Sequence, residues 1–274
     1  QMIVHGEITF RKVHANGSSH GSELHRIGAG EWFGAAVMFG MQPPAELIAK
    51  SVDDVLLIRL DRQTFQNLTH EYPALGLQVC KGLSKTLEVA MHELKDKPIP
   101  VERDVADDQR ALDGSYCTTE EECSLVDSIF FLRHIDLFMQ LETDALTAIA
   151  MLGEEVRLQK GEQLRESDVG SHGLFLILEG DIKLYRGEQL YDHRGPGRYF
   201  GRTTLFGMEA SEFMLEAQKK TTLMRIPPDE FRACVMDHPI IAIRACERLS
   251  RIQGSLLENI LKDSDDVSPA DSPP

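Results

Sequence analysis

The sequence has few basic side chains and no long apolar run. Its 29 lysines and arginines stand against 44 aspartates and glutamates, which gives a net charge of −15. Binding of duplex DNA depends on clustered cations that displace counterions from phosphates, so we predict no DNA partner. A membrane-spanning helix needs about 20 consecutive apolar residues. No such run occurs, so we predict no membrane span in this chain.

Cysteine is scarce and follows no metal-binding spacing. The five cysteines are Cys80, Cys117, Cys123, Cys234 and Cys246, without any Cys-x-x-Cys pair. An odd count without that spacing is typical of a reducing compartment, so we predict a cytoplasmic protein. Cys117 and Cys123 flank an acidic loop, where we favour two free thiols over a bridge or a metal site. For His14, His20 and His25, in a Gly/Ser-rich loop, we expect solvated side chains rather than metal ligands.

No constellation of catalytic side chains stands out. The chain shows no paired carboxylates, no nucleophile with a neighbouring base and no metal-ligand spacing. We therefore predict no enzymatic activity, no catalytic residue, no metal and no required cofactor. With 274 residues, 42% of them hydrophobic, the chain has the size and composition for two globular domains.

One stretch of the sequence occurs twice. Residues 28–41 read GAGEWFGAAVMFGM, and residues 195–208 read GPGRYFGRTTLFGM. In both, paired glycines and a Phe-Gly step lead into a short apolar run. A glycine turn that exposes backbone N–H groups before a helical turn is suited to hold an anion, and we call each copy a cradle. Because longer matching segments surround both cradles, we predict an internal duplication.

The segments around the cradles repeat in the same order. A strand with a central Gly-acidic step precedes each cradle, at Met2–Arg11 and Leu174–Tyr185. An apolar strand and two helices follow each one, the second helix starting at Pro73 or Pro239. Apolar residues at spacings of three and four mark one face of each of these helices. We expect that face to pack on the protein's own barrel, with a dimer seam as the alternative.

The chain therefore divides into four expected segments. Residues 1–94 form a partial domain whose first strands are missing, and residues 118–261 form a complete one. The prolines and aspartates of residues 95–117 predict an acidic linker. Residues 262–274, rich in Asp, Ser and Pro, predict a disordered tail. We expect no helix-turn-helix reader after Ile260, since such a module needs several dozen residues.

This order of elements resembles the cyclic-nucleotide-binding domain family. The strand motif (Ile/Leu)-x-Gly-(Glu/Asp)-(Ile/Val), the Phe-Gly cradle, a further strand and a Pro-started helix carry the resemblance. It covers the second copy from about Phe130 to Ile260, and the first copy from its middle strands onward. The resemblance implies a mainly β fold with flanking α-helices. Two β-rolls of the double-stranded β-helix or jelly-roll type would stand in tandem, as in kinase regulatory subunits.

The two polar anchors of that family are replaced here. In the family, the cradle reads Phe-Gly-Glu-(Leu/Ile)-Ala-Leu, and its Glu accepts from the ribose 2′-hydroxyl. An arginine that follows pairs with the cyclic phosphate. Arg202 and Ser211 occupy these two positions in the second copy, and Ala35 with Pro43 or Pro44 in the first. Losing the phosphate anchor removes on the order of 1.5–3 kcal/mol of binding free energy.

The resemblance assigns the following ligand-binding residues. In the second copy they are Phe200, Gly201, Arg202, Thr203, Thr204, Ser211 and Glu212. In the first copy they are Phe33, Gly34, Ala35, Ala36, Pro43 and Pro44. We favour an ion pair of Arg202 with Glu212 or Glu216, the alternative being that Arg202 supplies positive charge over the cradle. We interpret the first cradle, which keeps only backbone donors, as a filled structural element.

The leading hypothesis is a non-enzymatic regulatory or sensor protein in signalling. Cyclic AMP, cyclic GMP or a nucleoside is the candidate ligand, bound weakly. The helices after each barrel would control a kinase, channel or transporter module as protein partner. The alternative is an assembly or scaffold module that self-associates through those helices and no longer binds nucleotide. A transcription regulator is disfavoured by the acidic charge and the expected lack of a reader domain.

Overall fold

We describe a computed structural model of the chain. The structure describes residues 1–12, 23–39, 47–93, 124–165, 172–208 and 213–263. By internal packing the chain divides into two units. The first comprises Gln1–Asn67, Thr86–Glu102 and Leu249–Pro274, and the second comprises Leu68–Lys85 and Arg103–Arg248. The cuts of this division that lie in the described residues fall within helices, and the expected domain boundaries stay a prediction.

The first unit contains two small antiparallel sheets. Its elements are β1 (Met2–His5), β2 (Ile8–Lys12), β3 (Glu23–Ile27), α1 (Ala35–Met38), β4 (Leu47–Ser51), β5 (Leu56–Ile58) and the start of α2 (Arg62–Glu71). One sheet has the order β3-β2-β4, and the other pairs β1 with β5. Alternating apolar residues meet between them, with Ile3, Ile8 and Ile27 buried at the centre.

The two terminal helices of the first repeat begin as the sequence predicts. The carboxylate of Asp61 accepts from the Thr64 N–H at 2.8 Å and so caps α2. Hydrogen bonds from the backbone and the side chain of Thr64 lower the pKa of Asp61. Helix α3 (Pro73–Glu93) starts at the predicted proline and buries the predicted face at Val79, Leu83 and Leu87.

The second unit is built around two four-stranded antiparallel sheets. Its further elements are α4 (Leu125–His134), α5 (Thr143–Ala150), β6 (Glu154–Leu158), β7 (Gln163–Arg165), β8 (Leu174–Glu179), β9 (Ile182–Arg186), β10 (Gln189–Arg194), β11 (Tyr199–Phe200), α6 (Arg202–Leu205), β12 (Phe213–Ala217), β13 (Thr221–Ile226), α7 (Pro228–Asp237) and the start of α8 (Ile240–Asp263). The sheets have the orders β10-β9-β12-β7 and β11-β8-β13-β6. The predicted class, mainly β with flanking helices, is confirmed. Helix α8 ends at Asp263, so it includes the first two residues of the expected tail.

Strand order and local bonds recur in the two units. The order β3-β2-β4 corresponds to β10-β9-β12, and the pair β1-β5 to β8-β13. The Gly30 N–H donates to the Ile3 carbonyl at 2.8 Å, and the Gly197 N–H donates to the Ile177 carbonyl at the same distance. The first unit's described residues contain no counterpart of β6 and β7.

Aromatic packing behind the cradles recurs as well. Phe39 meets Phe65 edge to face at 5.7 Å between ring centroids, and Phe206 meets Phe231 in the same manner at 6.0 Å. Edge-to-face pairs of this kind contribute about 0.5–1.5 kcal/mol beyond their buried area. Each pair therefore fixes the segment after a cradle against the first helix that follows the strands.

Candidate functional site

The Phe-Gly step of the second unit forms a tight turn between β11 and α6. Gly201 has a φ of 84°, a left-handed conformation that favours glycine. A Cβ atom here would lie 1.9 Å from the carbonyl oxygen of Gly173, which comes just before β8. Glycine is therefore required by the backbone conformation and by the close approach of the neighbouring chain.

The buried hydroxyl of Thr204 ties this turn to the residue before β8. The Gly173 N–H donates to Thr204 Oγ1 at 3.1 Å, and Oγ1 in turn donates to the Gly201 carbonyl at 2.8 Å. The hydroxyl is thus engaged with the backbone, and its structural task is to hold the cradle in shape. Contact between Thr204 and a ligand stays a prediction.

The cradle ends in the single turn of α6. The Leu205 N–H donates to the Gly201 carbonyl at 3.2 Å and closes the turn. The first amides of a helix have no acceptor in a preceding turn. Residues 202–204 therefore place their backbone amides at a helix start, as predicted for the cradle. Phe200 is buried and stacks on Phe175 at 5.0 Å, so it anchors the cradle in the core.

Only one of the two residues aligned with the family's polar anchors lies among the described residues. Arg202 lies on α6 with a partly buried side chain, whereas Ser211 and Glu212 lie outside the described residues. The carboxylate of Glu216 accepts from the side-chain amides of Gln218 at 2.9 Å and Gln163 at 3.2 Å. These bonds lower the pKa of Glu216, the one from Gln218 most. The expected ion pair of Arg202 stays a prediction.

A buried carboxylate connects the cradle strand to α8. Tyr199, next to Phe200, donates its hydroxyl to Asp136 Oδ1 at 2.7 Å. Arg248 on α8 donates from Nε and Nη2 to Asp136 Oδ2 at 3.1 and 2.9 Å. Asp136 is only 8% exposed, and both its oxygens are hydrogen-bonded, as burial of a charge demands.

Sequence reasoning missed this network because its members are far apart in the chain. Asp136 is separated from Tyr199 by 63 positions and from Arg248 by 112. No motif spacing marks them. The one local signal is Tyr199 beside the Phe-Gly step. A tyrosine hydroxyl usually finds a hydrogen-bond partner when its ring is largely buried.

A family model matches part of this unit. The model described as the cyclic nucleotide-binding domain matches residues 155–238, which run from β6 through the cradle to the end of α7. Residues 155–238 form a cyclic nucleotide-binding domain. The matched part contains every described element of the second cradle. No curated protein matches the chain.

Several solved structures resemble the chain. Cyclic nucleotide-binding-like protein from Brucella abortus is 24% identical, covers 40% of this chain and 97% of its own, and has a TM-score of 0.36. The structure titled "cAMP bound PfPKA-R (141-441)" is 15% identical and covers 97% of this chain and 72% of its own, with a TM-score of 0.37. The sensor domain of the transcriptional regulator DNR from Pseudomonas aeruginosa is 16% identical. The match covers 54% of this chain and 98% of the sensor domain, with a TM-score of 0.41.

The first cradle keeps the turn found in the cyclic nucleotide-binding domain. Gly34 has a φ of 68° and precedes α1, a helix of four residues. Ala35 is buried, and Phe33 packs on the core and meets Phe10 edge to face at 5.8 Å. The side chain of Ala36 is not described, nor is that of Thr203 in the second cradle. Pro43 and Pro44 lie outside the described residues.

A cleft of about 460 Å³ lies beside α6 and α7 in the second unit. It is lined by Glu154, His172, Thr204, Gly207, Met208, Arg225, Pro227, Pro228, Asp229, Glu230 and Arg232. Arg225 donates to Glu154 at 2.5 Å and to the His172 carbonyl at 2.9 Å, and Arg232 pairs with Asp229. The two arginines of the cleft are thus compensated by its own acidic groups. No motif in the sequence predicts this cleft.

Two expected absences concern metal ions and membrane spans. Over the described ranges, no group of His, Cys, Asp or Glu side chains is placed to hold a metal ion. His14, His20, Cys117 and Cys123 lie outside those ranges. Within the same ranges, no helix combines the length and apolar character required to cross a membrane.

Proposed function

We propose that the chain is a non-enzymatic regulatory protein with two domains of the cyclic nucleotide-binding type. The second cradle binds a cyclic nucleotide or a nucleoside weakly, and the helices after each set of strands act on a protein partner. The observation that carries this proposal is the tight turn at Gly201. The hydrogen bond between Gly173 and Thr204 holds this cradle in place within a cyclic nucleotide-binding domain.

The recurring strand order, hydrogen bonds and aromatic pairs support the tandem arrangement. A shared sequence motif alone would fix only the cradle, whereas these bonds join residues far apart within each unit. The two copies differ in exposure: Leu57 on β5 is 37% exposed, whereas its counterpart Leu223 on β13 is fully buried.

The replaced anchors support weak and altered ligand binding. Without an arginine at position 211, a cyclic phosphate meets backbone amides but no bidentate cation. The loss of roughly 1.5–3 kcal/mol corresponds to one to two orders of magnitude in affinity. An uncharged nucleoside loses less, because it never used that anchor. The burial of Ala35 in the first cradle supports a structural task for that copy.

The network of Tyr199, Asp136 and Arg248 supports control through the terminal helix. It joins the strand that enters the cradle to α8 by charge-assisted hydrogen bonds. A ligand that shifts the cradle changes these bonds and so the position of α8. A kinase, channel or transporter module is the partner that we propose for this helix. Self-association without ligand binding remains the second candidate.

Calorimetric titration of the chain with cyclic AMP, cyclic GMP, nucleosides and inorganic phosphate tests the proposal. We expect dissociation constants for the cyclic nucleotides on the order of 10⁻⁴ M or weaker. The double variant Arg202→Glu with Ser211→Arg restores both family anchors and should bind cyclic nucleotides about ten- to a hundredfold more tightly. The single variant Arg202→Glu is the control, because it leaves the phosphate anchor absent.

Two results contradict this proposal. A submicromolar dissociation constant for the unmodified protein means that the pocket works by other contacts. If the unmodified protein binds measurably, no gain in the double variant means that the alignment of Arg202 and Ser211 with the family anchors is wrong. Complete absence of binding by every ligand, with the double variant also silent, favours the scaffold function.

A further inference from the structure

Two buried thiols face each other where α3 packs on α8. Cys80 on α3 and Cys246 on α8 both belong to the second unit and are fully buried, with their sulfur atoms 3.1 Å apart. Neither is bridged. A disulfide requires a sulfur–sulfur distance of about 2.05 Å, so the sulfurs need to approach by only about 1 Å to bond.

The contact between these helices is close and reciprocal. The Cys80 thiol lies 3.5 Å from the Ala242 carbonyl, and the Cys246 thiol lies 3.5 Å from the Gly76 carbonyl. A Cβ atom on Gly76 would lie 2.7 Å from the Ala242 Cβ, so the helix backbones approach as nearly as side chains allow. The two thiols are therefore held in register by four residues, one helical turn apart on each helix.

The cysteines occupy equivalent places in the two copies. Cys80 lies 15 positions after Phe65, and Cys246 lies 15 positions after Phe231, the two phenylalanines that pack behind the cradles. The thiol pair therefore joins the corresponding helices of the two copies. The proposed function assigns control of a protein partner to these helices. A covalent bond between them would therefore hold them in one arrangement.

We propose that Cys80 and Cys246 form a redox-controlled disulfide that locks α3 to α8. The oxidant is a small hydroperoxide such as hydrogen peroxide. One thiolate attacks the peroxide and becomes a sulfenic acid with release of one water. The second thiol then attacks the sulfenic sulfur and releases another water. Two electrons leave the sulfurs and reduce the O–O bond, and an external dithiol reverses the reaction.

Burial sets the speed of this reaction. Burial, followed by the hydrogen bond to Cys80, raises the pKa of the Cys246 thiol well above its ordinary value. Because the thiolate is the reactive form, oxidation proceeds through transient opening of the helix pair. The bond should form more slowly than in a solvent-exposed dithiol, and it should be specific for this pair.

Peptide mapping of the whole chain tests the proposal directly. Trypsin places Cys80 in residues 63–81, Cys246 in residues 245–248 and Cys234 in residues 233–244, while Cys117 and Cys123 share residues 111–133. After hydrogen peroxide treatment and alkylation without reductant, we expect a linked species of residues 63–81 and 245–248. Its mass should be lower than the sum of the two peptides by two hydrogen atoms. Dithiothreitol should separate it.

A thermal measurement adds the consequence of the bond. The bond closes a loop spanning 166 positions and restricts the unfolded chain. Oxidation should therefore raise the melting temperature of the wild type. It should do the same for Cys234→Ser, the matched control, which removes a buried thiol outside the pair. The melting temperatures of Cys80→Ser and Cys246→Ser should not change on oxidation.

The proposal is overturned if wild-type maps show other pairings, bonds between chains or only sulfinic and sulfonic acids at these two positions. This readout needs no variant and no nucleotide. Failure of ligand binding therefore leaves the redox test intact, and failure of the disulfide leaves the nucleotide titration intact.

Discussion

Replacing Gly201 by alanine should destabilise the second unit more than replacing Gly34 by alanine destabilises the first. Both glycines have left-handed φ values, 84° and 68°. An alanine in that conformation costs roughly 1–2 kcal/mol. The difference lies in the space around the new Cβ atom. At Gly201 it would lie 1.9 Å from the Gly173 carbonyl oxygen, whereas at Gly34 no heavy atom lies within 4 Å.

The overlap at Gly201 adds a second contribution. Forcing a methyl group into a filled site costs typically about 1–3 kcal/mol, because neighbouring backbone must shift. The sum for Gly201→Ala is therefore roughly 2–5 kcal/mol, against roughly 1–2 kcal/mol for Gly34→Ala. The shift should also weaken the hydrogen bond between Gly173 and Thr204 and so open the cradle.

Urea unfolding monitored by hydrogen exchange and mass spectrometry measures each unit separately. Gly187→Ala is the matched control in the second unit, since Gly187 has a φ of 61° and a methyl group added there would meet no heavy atom within 4 Å. We expect its effect to equal that of Gly34→Ala. Equal destabilisation by all three substitutions would refute the assignment of a steric role to Gly201.

Three further predictions concern the network, a carboxylate and the first unit. Arg248→Met should lower the free energy of unfolding by roughly 3 kcal/mol, because Asp136 keeps a buried charge without its cation; urea denaturation showing no loss would contradict this. Gln218→Leu should raise the pKa of Glu216 in an NMR titration. Because hydrogen bonding lowers that pKa, its stabilising effect is present above the unfolded value, about 4.3, and is lost as pH falls through the lower folded value. An unchanged titration of Glu216 would exclude the Gln218 amide as the cause. Hydrogen exchange should be faster in the strands of the first unit than in those of the second, since its apolar strand β5 is exposed; slower exchange in the first unit would contradict this.

Local features of the structure could be predicted from the sequence. Asp61 caps α2 and Pro73 begins α3 because capping and proline geometry involve only neighbouring residues. The Phe-Gly step likewise predicted the turn at Gly201, since a left-handed turn before a helix has a glycine signature. The mainly β class followed from the same short-range patterns. The contacts assigned to Ser211 and Glu212 stay predictions.

Contacts between distant segments were decided only by the tertiary structure. Packing of β8 beside α6 directs the hydroxyl of Thr204 to the backbone of Gly173, a contact that the sequence did not predict. Asp136 gains its partners, and Cys80 meets Cys246, only because helices and strands far apart in sequence pack together. Spacing in the chain carries no information about such pairs. By itself, the sequence determined which residues turn, cap and alternate, because those preferences act over a few residues. The fold determined which buried polar groups and thiols face each other, because a buried polar group without a partner costs free energy and the partner can come from any part of the chain.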